Sequence, residues 1–242
     1  MLTGAPMLWP NWKLANVIEE AGARIVATAR ERHTDLIVIS THGYTGVERA
    51  LMGSTAEEVI RQAPCAVLTL RPRTAPKSGL RIARILAPVD FSAPSREALA
   101  YAVAFARPLG AAVTAFHSLQ PLAPPRRLAK AASRLEARAF AQARKNLTAW
   151  AERSAGGQTP PATEVGAGRA RDEIIRVAGR LESDLVILAT RGRSGLKRLL
   201  LGSVAENVVR HAPCPVLVVR AQKRVRPAAR RKAEVTIMPF PP

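Results

Sequence analysis

The sequence predicts an α/β protein with a doubly wound parallel sheet, made of one complete domain and a partial second copy. Residues 35–71 and 184–220 align without a gap and are identical at about half of their positions, which indicates a duplicated unit. Between these two segments, apolar runs too short for helices alternate with helical patterns. This alternation of strand and helix is typical of a parallel sheet with right-handed crossovers.

Each copy of the repeated unit is predicted to fold as strand, loop, helix and strand. The first strand is a short run that is apolar on both faces, as expected for a strand buried in a parallel sheet. A Ser-x-x-Glu spacing follows a glycine-containing loop, and we expect it to form a capping box. A proline ends the helix. The predicted elements are strands 36–39 and 185–188, helices that begin at Ser54 and Ser203 and stop before Pro64 and Pro213, and strands 66–70 and 216–219.

The segment before the second copy supplies the remaining elements of an α/β domain. Its first predicted strand ends in the sequence Pro-Val-Asp, and glycine or proline pairs separate several of the later elements. The predicted elements are strand 82–89, helix 92–107, strand 112–116, a long basic amphipathic helix at about 126–153, strand 162–165 and helix 170–182.

The first copy is predicted to contain only the C-terminal half of such a domain. A single helix, about residues 14–32, is predicted before residue 35. The expected organisation is a truncated domain at 1–71, a proline-rich linker at 72–80, a complete domain at 81–221 and a basic, disordered tail at 222–242.

Composition indicates a soluble cytoplasmic protein. The chain has 242 residues and two cysteines, Cys65 and Cys214, which we interpret as small core residues and not as a disulfide or a metal site. No run of apolar residues is long enough to span a membrane, and no secretory leader is evident. The formal net charge of +19 is concentrated at 126–153 and 223–232. Such segments can attract nucleic acid, but few aromatic residues accompany them, which favours a solvated helix face and tail.

Two features with unusual chemistry are expected to converge at one edge of the sheet. Asp90 follows the first strand of the complete domain, and the loop 189–201 follows the fourth. Ligands of doubly wound sheets bind where the strand order reverses. Gly202 and Ser203 open a helix whose free N–H groups favour a phosphate, while Asp90 can accept hydrogen bonds from a ribose or a base. A tight turn followed by a helix cap would explain the glycine spacing equally well.

Three segments resemble the universal stress protein (UspA) family: PVDFS at 88–92, LATRGRSG at 188–195 and LLLGSVAENVVRHAPCPVLVV at 199–219. The resemblance implies a five-stranded sheet of order 3-2-1-4-5. It also implies a homodimer, or an intramolecular pseudo-dimer, joined through the last strands. The nucleotide-binding members of the family share the pattern Gly-x2-Gly-x9-Gly-Ser/Thr.

Transferred to this chain, the resemblance implies an ATP site, with or without Mg²⁺, in the complete domain. The implied binding residues are Pro88, Val89, Asp90, Ser118, Leu188, Ala189, Gly192, Arg193, Gly202, Ser203 and Val204. Ala189 departs from the pattern, because it stands where the family has the first glycine. Its methyl group is expected to crowd the backbone beside the ligand, so it could weaken nucleotide binding or only tighten the fit.

The leading hypothesis is a stress-response regulatory protein that binds ATP in its complete domain and is not an enzyme. The alternatives are a member that binds no nucleotide and acts as a protein-interaction scaffold, a weak ATPase, and a nucleic-acid-associated protein. The first copy keeps Gly43, Gly53 and Ser54 but has no counterpart of Asp90, so it is predicted not to bind nucleotide. Its last strand is expected to cover the edge of the complete domain.

Overall fold

The computed structural model describes residues 11–41, 52–71, 81–121, 129–157, 159–190 and 201–220, with side chains from 21 and, in the fourth range, from 132. Among these residues the chain forms an α/β structure with helices on both faces of one sheet. The helices are α1 (Asn11–Glu31), α2 (Ser54–Gln62), α3 (Ala93–Ala106), α4 (Ala129–Ala155), α5 (Ala170–Arg180) and α6 (Ser203–His211). The strands are β1 (Leu36–Ser40), β2 (Ala66–Leu70), β3 (Arg84–Pro88), β4 (Ala112–Leu119), β5 (Ala162–Ala167), β6 (Leu185–Ala189) and β7 (Val216–Val219).

The seven strands form a single sheet of order β1-β2-β7-β6-β3-β4-β5. The five strands of the complete domain, β3 to β7, therefore have the predicted order 3-2-1-4-5, and all their pairings are parallel. The two strands of the partial copy, β1 and β2, are also parallel to each other. The doubly wound fold predicted from the repeat is confirmed.

The two copies meet through their last strands. β2 pairs antiparallel with β7, with Leu68 opposite Leu217. The buried Thr69 hydroxyl donates a further hydrogen bond to the carbonyl oxygen of Val216, at 2.9 Å. The partial copy thus covers the edge of the complete domain, as expected from the resemblance to tandem family members.

Two apolar clusters fill the space between the sheet and its helices. The first cluster joins α1 and α2 of the partial copy to α5 and α6 of the complete domain, and it contains Val26, Val59, Val177 and Val208. The second lies on the opposite face, under α3 and α4. Because both clusters contain residues from both copies, the partial copy shares the core of the complete domain.

The Ser-x-x-Glu segments do not form the predicted capping boxes. Gly53 and Gly202 are the N-cap residues of α2 and α6, and neither helix has a side-chain cap hydrogen bond. Ser203 is instead the first helical residue and is exposed. Glu206 forms an ion pair with Arg210 one turn further along, at 2.6 Å. The predicted helix starts at Ser54 and Ser203 agree with the structure, but the N-cap of each helix is the glycine before the serine and not the serine itself.

Strand β1 is at the outer edge of the sheet in the part of the chain that the structure describes. Ile37 and Ile39 pack against the first apolar cluster. On the other face, Leu36 is 37% exposed and Val38 is 55% exposed. In the equivalent strand of the complete domain, β6, all residues but the last are buried. The composition of a central strand is therefore retained in an edge strand.

Candidate functional site

A crevice begins between β3 and β6, where the strand order reverses. Val89 donates its N–H to Phe116 of β4, so alternate residues of β3 point their amides toward β4 or toward β6. Position 88 belongs to the set that faces β6, and Pro88 has no N–H to donate. The β3–β6 pairing accordingly includes only Ile85 and Leu86, whereas the β3–β4 pairing extends to Pro88. Pro88 thus ends the ladder toward β6 and leaves an opening at the carboxyl edge.

Asp90 lies at this opening, in the loop between β3 and α3. Its Oδ1 atom accepts hydrogen bonds from the N–H of Ser92 at 3.0 Å and from the Ser92 hydroxyl at 2.5 Å. Its own N–H donates to the Ser95 hydroxyl at 3.3 Å. Ser92 is also the N-cap of α3, and its side chain accepts from the N–H of Ser95. The orientation of the Asp90 carboxylate is therefore tied to the start of a helix.

The loop on the other side of the crevice is closed at its base by a short backbone contact. Gly202 donates its N–H to the carbonyl of Thr190 at 2.9 Å, and Thr190 donates to Val219 of β7 at 3.1 Å. These bonds place the first turn of α6 directly beyond the end of β6. Ser203 is exposed at this turn and does not cap the helix. The N-terminus of α6 therefore presents a hydroxyl and backbone N–H groups that have no partner within the helix.

Several predicted binding residues can reach a ligand only through their backbone. Val89 and Leu188 are 3% and 4% exposed, and their side chains belong to the second and the first apolar cluster, respectively. Ala189 is half-buried and packs against the second cluster. The methyl group that distinguishes it from the family's glycine is accommodated against the apolar core under α3.

The remaining predicted residues are distributed unevenly around the crevice. Ser118, near the end of β4, donates its hydroxyl to the carbonyl of Gly168 at 2.8 Å and is half-buried. Val204 is exposed on α6, one residue beyond Ser203. Gly192 and Arg193 lie outside the residues that the structure describes.

Glu173 lies near the carboxyl edge of β5, outside the crevice. A hydrogen bond from Arg176 lowers the pKa of its carboxyl group, so the side chain is ionised at neutral pH. A Cβ added at Gly168 would lie 2.7 Å from the Glu173 side chain. The edge of β5 is therefore closely packed, and its carboxylate is paired with Arg176.

Sequence reasoning missed two residues that contact the Asp90 loop. The His117 ring lies 2.6 Å from the carbonyl oxygen of Val89 through Nδ1, and the Phe91 ring packs on it with centroids 4.4 Å apart. His117 directly precedes the predicted Ser118, and Phe91 directly follows Asp90. The predicted strand 112–116 stopped one residue before His117, whereas β4 extends to Leu119, so the sequence pattern gave no signal for this histidine.

The partial copy reproduces half of this arrangement. Gly53 donates to Thr41, as Gly202 does to Thr190, and both bonds measure close to 3 Å (3.0 Å and 2.9 Å). In the described residues, however, β1 has no strand on its outer side, so nothing there corresponds to β3 and Asp90. The half-site in the partial copy therefore has a helix N-terminus without an opposing carboxylate.

Comparison with known proteins agrees with this architecture. A family model described as the universal stress protein family matches residues 9–71 and 81–220. The chain belongs to the universal stress protein family. The two matched segments correspond to the partial copy and the complete domain.

Individual relatives cover different parts of this universal stress protein. Universal stress protein MJ0531 of Methanocaldococcus jannaschii is 47% identical over 62 residues, which are 26% of this chain and 36% of the relative. Universal stress protein UspA from Lactobacillus plantarum is 30% identical, with a TM-score of 0.53 over 59% of this chain and 100% of that one. Protein PA1789 of Pseudomonas aeruginosa has a TM-score of 0.63 at 22% identity, covering 82% of this chain and 67% of that one, and shows the fold alone.

Two features are absent from the described residues. Those residues contain no group of three or more histidine, cysteine, aspartate or glutamate side chains placed to hold a metal ion. No helix in the described part of the chain combines the length and apolarity needed to cross a bilayer.

Proposed function

We propose that this universal stress protein binds an adenine nucleotide, with ATP as the leading candidate, in the crevice between β3 and β6 of its complete domain. One relationship supports the proposal: Asp90 follows β3 and α6 follows β6, and these two paired strands lie where the strand order reverses. A carboxylate suits ribose hydroxyls or a base amino group, and a helix N-terminus suits phosphates. A nucleotide carries both kinds of group on one molecule.

The polar groups of the site support the proposal. Oδ1 of Asp90 is engaged by Ser92, which orients the carboxylate without neutralising its charge. Ser203 is exposed and its hydroxyl does not cap α6, and it lies beside the first backbone amides of that helix, which have no partner within the helix. Mg²⁺ would be held chiefly by the phosphates and water, because the described residues offer no cluster of carboxylates there.

Binding without turnover is the form of the function that we propose. General base catalysis would need a side chain within hydrogen-bond reach of an attacking water near the terminal phosphate. Asp90 is held at the opposite side of the crevice by the loop that contains Ser92. Any ATP hydrolysis is therefore expected to be slow, and the nucleotide is expected to act as a regulatory ligand.

Titration of the protein with a fluorescent ATP analogue tests the proposal. Asp90→Asn is the informative variant, because its Oδ1 can still accept from Ser92 while the charge and one acceptor are lost. We expect affinity to fall about tenfold or more, the effect of losing a hydrogen bond to a charged group. Absence of binding by the wild-type protein at millimolar ATP would rule the proposal out.

A protein-interaction scaffold is the second candidate function, and one observation favours it. The side chains of Leu36 and Val38 are exposed on the outer strand of the described sheet. An apolar edge strand of this kind is a template for pairing with another chain. The two functions are compatible, since the β1 edge and the crevice lie in different copies.

A further inference from the structure

The loop that carries Asp90 contains a residue in an unfavourable conformation. Phe91 has a φ of +63°, in the left-handed region that a bulky side chain rarely occupies. Such a conformation persists only where surrounding contacts hold it. The contacts around Phe91 therefore determine whether Asp90 keeps the orientation described above.

Aromatic packing holds the Phe91 ring from two directions. The His117 ring is tilted by 45° with its centroid 4.4 Å away, and the Trp150 ring meets Phe91 edge-on at 5.3 Å. The guanidinium of Arg96 lies 4.7 Å from the centroid of the Trp150 ring. Offset and edge-to-face geometries of this kind are the favourable ones for aromatic pairs. Residues of α4 and β4 thus contact one loop side chain, and Arg96 of α3 packs on the far partner, Trp150.

His117 also contacts the residue on the other side of Asp90. It is 7% exposed, and its Nδ1 lies 2.6 Å from the carbonyl oxygen of Val89. Because a carbonyl can only accept, Nδ1 carries the proton and donates. The Val89 N–H in turn donates to Phe116 at 2.7 Å, so both backbone polar groups of Val89 are bonded to β4. His117 therefore contacts both chain neighbours of Asp90.

We propose that His117 is a positioning residue for Asp90. It fixes the Val89 carbonyl by hydrogen bonding and supports Phe91 by ring packing, which holds the loop so that Asp90 accepts from Ser92 and faces the crevice. The expected effect of His117 on nucleotide affinity rests on the proposed function. The expected effect of His117 on the loop can be measured in the free protein and does not depend on any ligand.

Two substitutions at one position separate hydrogen bonding from packing. His117→Leu removes the donor, while His117→Asn retains a nitrogen donor near the position of Nδ1. In titrations with the ATP analogue, we expect His117→Leu to weaken binding about tenfold, the consequence of losing one buried hydrogen bond. His117→Asn should restore most of that loss. Phe91→Leu, which removes the ring contacts but no hydrogen bond, should give a smaller reduction.

A double-mutant cycle with Asp90→Ala tests whether His117 acts through Asp90. If it does, His117→Leu should change affinity less than twofold once Asp90 is absent, because interacting residues are not additive. Additive losses in affinity would overturn the positioning role and indicate a general structural effect. Equal affinity of His117→Leu and the wild type would overturn it as well.

Hydrogen exchange in the free protein distinguishes failure of this inference from failure of the proposed function. The Ser92 amide is protected by its bond to Asp90 Oδ1, so His117→Leu should accelerate its exchange at least tenfold and His117→Asn much less. Unchanged protection of that amide in His117→Leu would overturn the inference even if the wild type binds no nucleotide. If His117→Leu does not fold, exchange of the Ser92 amide is measured in Phe91→Leu instead. The inference then requires that amide to exchange faster in Phe91→Leu than in the wild type.

Discussion

Arg71 and Arg220 occupy equivalent positions at the ends of the two last strands, and each one caps the last helix of the other copy. Arg71 donates to the carbonyl of Arg210 at 2.7 Å and to that of Ala212 at the end of α6. Arg220 donates to the carbonyl of Ala63 at the end of α2, at 3.1 Å. A cation at a helix C-terminus is favourable because the carbonyls there lack intrahelical partners. The two arginines therefore add a reciprocal polar contact to the β2–β7 pairing.

Replacement of Arg71 is expected to destabilise the protein more than replacement of Arg220. Arg71→Ala removes two hydrogen bonds from a charged donor and should lower the free energy of unfolding by about 2 kcal/mol. Arg220→Ala removes the hydrogen bond to Ala63 and should cost about 1 kcal/mol. Denaturant unfolding followed by circular dichroism measures both. Equal stability of Arg71→Ala and wild type would show that the contact does not contribute to the association of the two copies.

Ser203 and Ser54 form a matched pair for testing the nucleotide site. Each is the first residue of its helix, but in the proposed site, and among the described residues, only Ser203 lies opposite a carboxylate, that of Asp90. Ser203→Ala should reduce affinity for the ATP analogue by about five- to tenfold, the effect of losing one hydrogen bond to a charged phosphate. Ser54→Ala should leave affinity unchanged. A similar reduction from Ser54→Ala would place nucleotide in the partial copy, contrary to our prediction.

The two cysteines are expected to be poorly reactive at neutral pH. Burial raises the pKa of Cys65 to about 11 and that of Cys214 to about 12. Because the thiolate is the nucleophile, alkylation at pH 8 should be roughly a hundredfold or more slower than for an exposed thiol, and Cys65 should react before Cys214. Mass spectrometry of iodoacetamide-treated protein gives both rates. Faster alkylation of Cys214 than of Cys65 would contradict the deeper burial of the Cys214 thiol.

The same pKa shifts predict a loss of stability at high pH. In the unfolded chain both thiols ionise near their ordinary pKa of about 8.5, which is below the folded values. The contribution of the buried thiols to stability is therefore fully present below about pH 8.5 and falls as the pH rises toward 11 and 12. Cys214→Ala should make the unfolding free energy less sensitive to pH between 9 and 11, as followed by denaturant titration. Arg71 has the opposite effect on the thiol of Cys214, since its charge lowers that pKa, but burial is the larger cause.

Charge on the exposed face of β1 should be tolerated, while charge on its inner face should not. Val38 is 55% exposed, so Val38→Lys is expected to change the unfolding free energy by less than about 0.5 kcal/mol and to reduce self-association. Ile37→Lys, one residue away, would bury an ammonium group against the first apolar cluster and should cost about 3 kcal/mol or more. Thermal unfolding and sedimentation velocity measure the two effects. A large destabilisation by Val38→Lys would mean that this face is covered in the native protein.

The repeat and the hydrophobic patterns were sufficient to predict the elements and their order. Strands β6 and β7 are continuous apolar runs, a composition typical of strands buried on both faces, although β1 keeps it with one face exposed. Asp90 and Gly202 were expected at one edge because both follow parallel strands of the sheet, and ligands of such sheets bind where the strand order reverses. The N-cap residues were less predictable than the helix starts, because Gly202 and Ser203 are adjacent and either residue type can cap a helix.

The sequence by itself determined that a carboxylate and a helix N-terminus would lie at the same edge, since both follow parallel strands of one sheet. Only the tertiary structure showed that Pro88, which has no N–H to donate, occupies a position that faces β6. It also showed that Ser203 does not cap α6 and that His117 contacts the loop around Asp90. The reciprocal contacts of Arg71 and Arg220 were likewise visible only in three dimensions. Strand order depends on local pattern and chirality, but which hydrogen-bond donor meets which acceptor depends on register and packing between residues far apart in the chain.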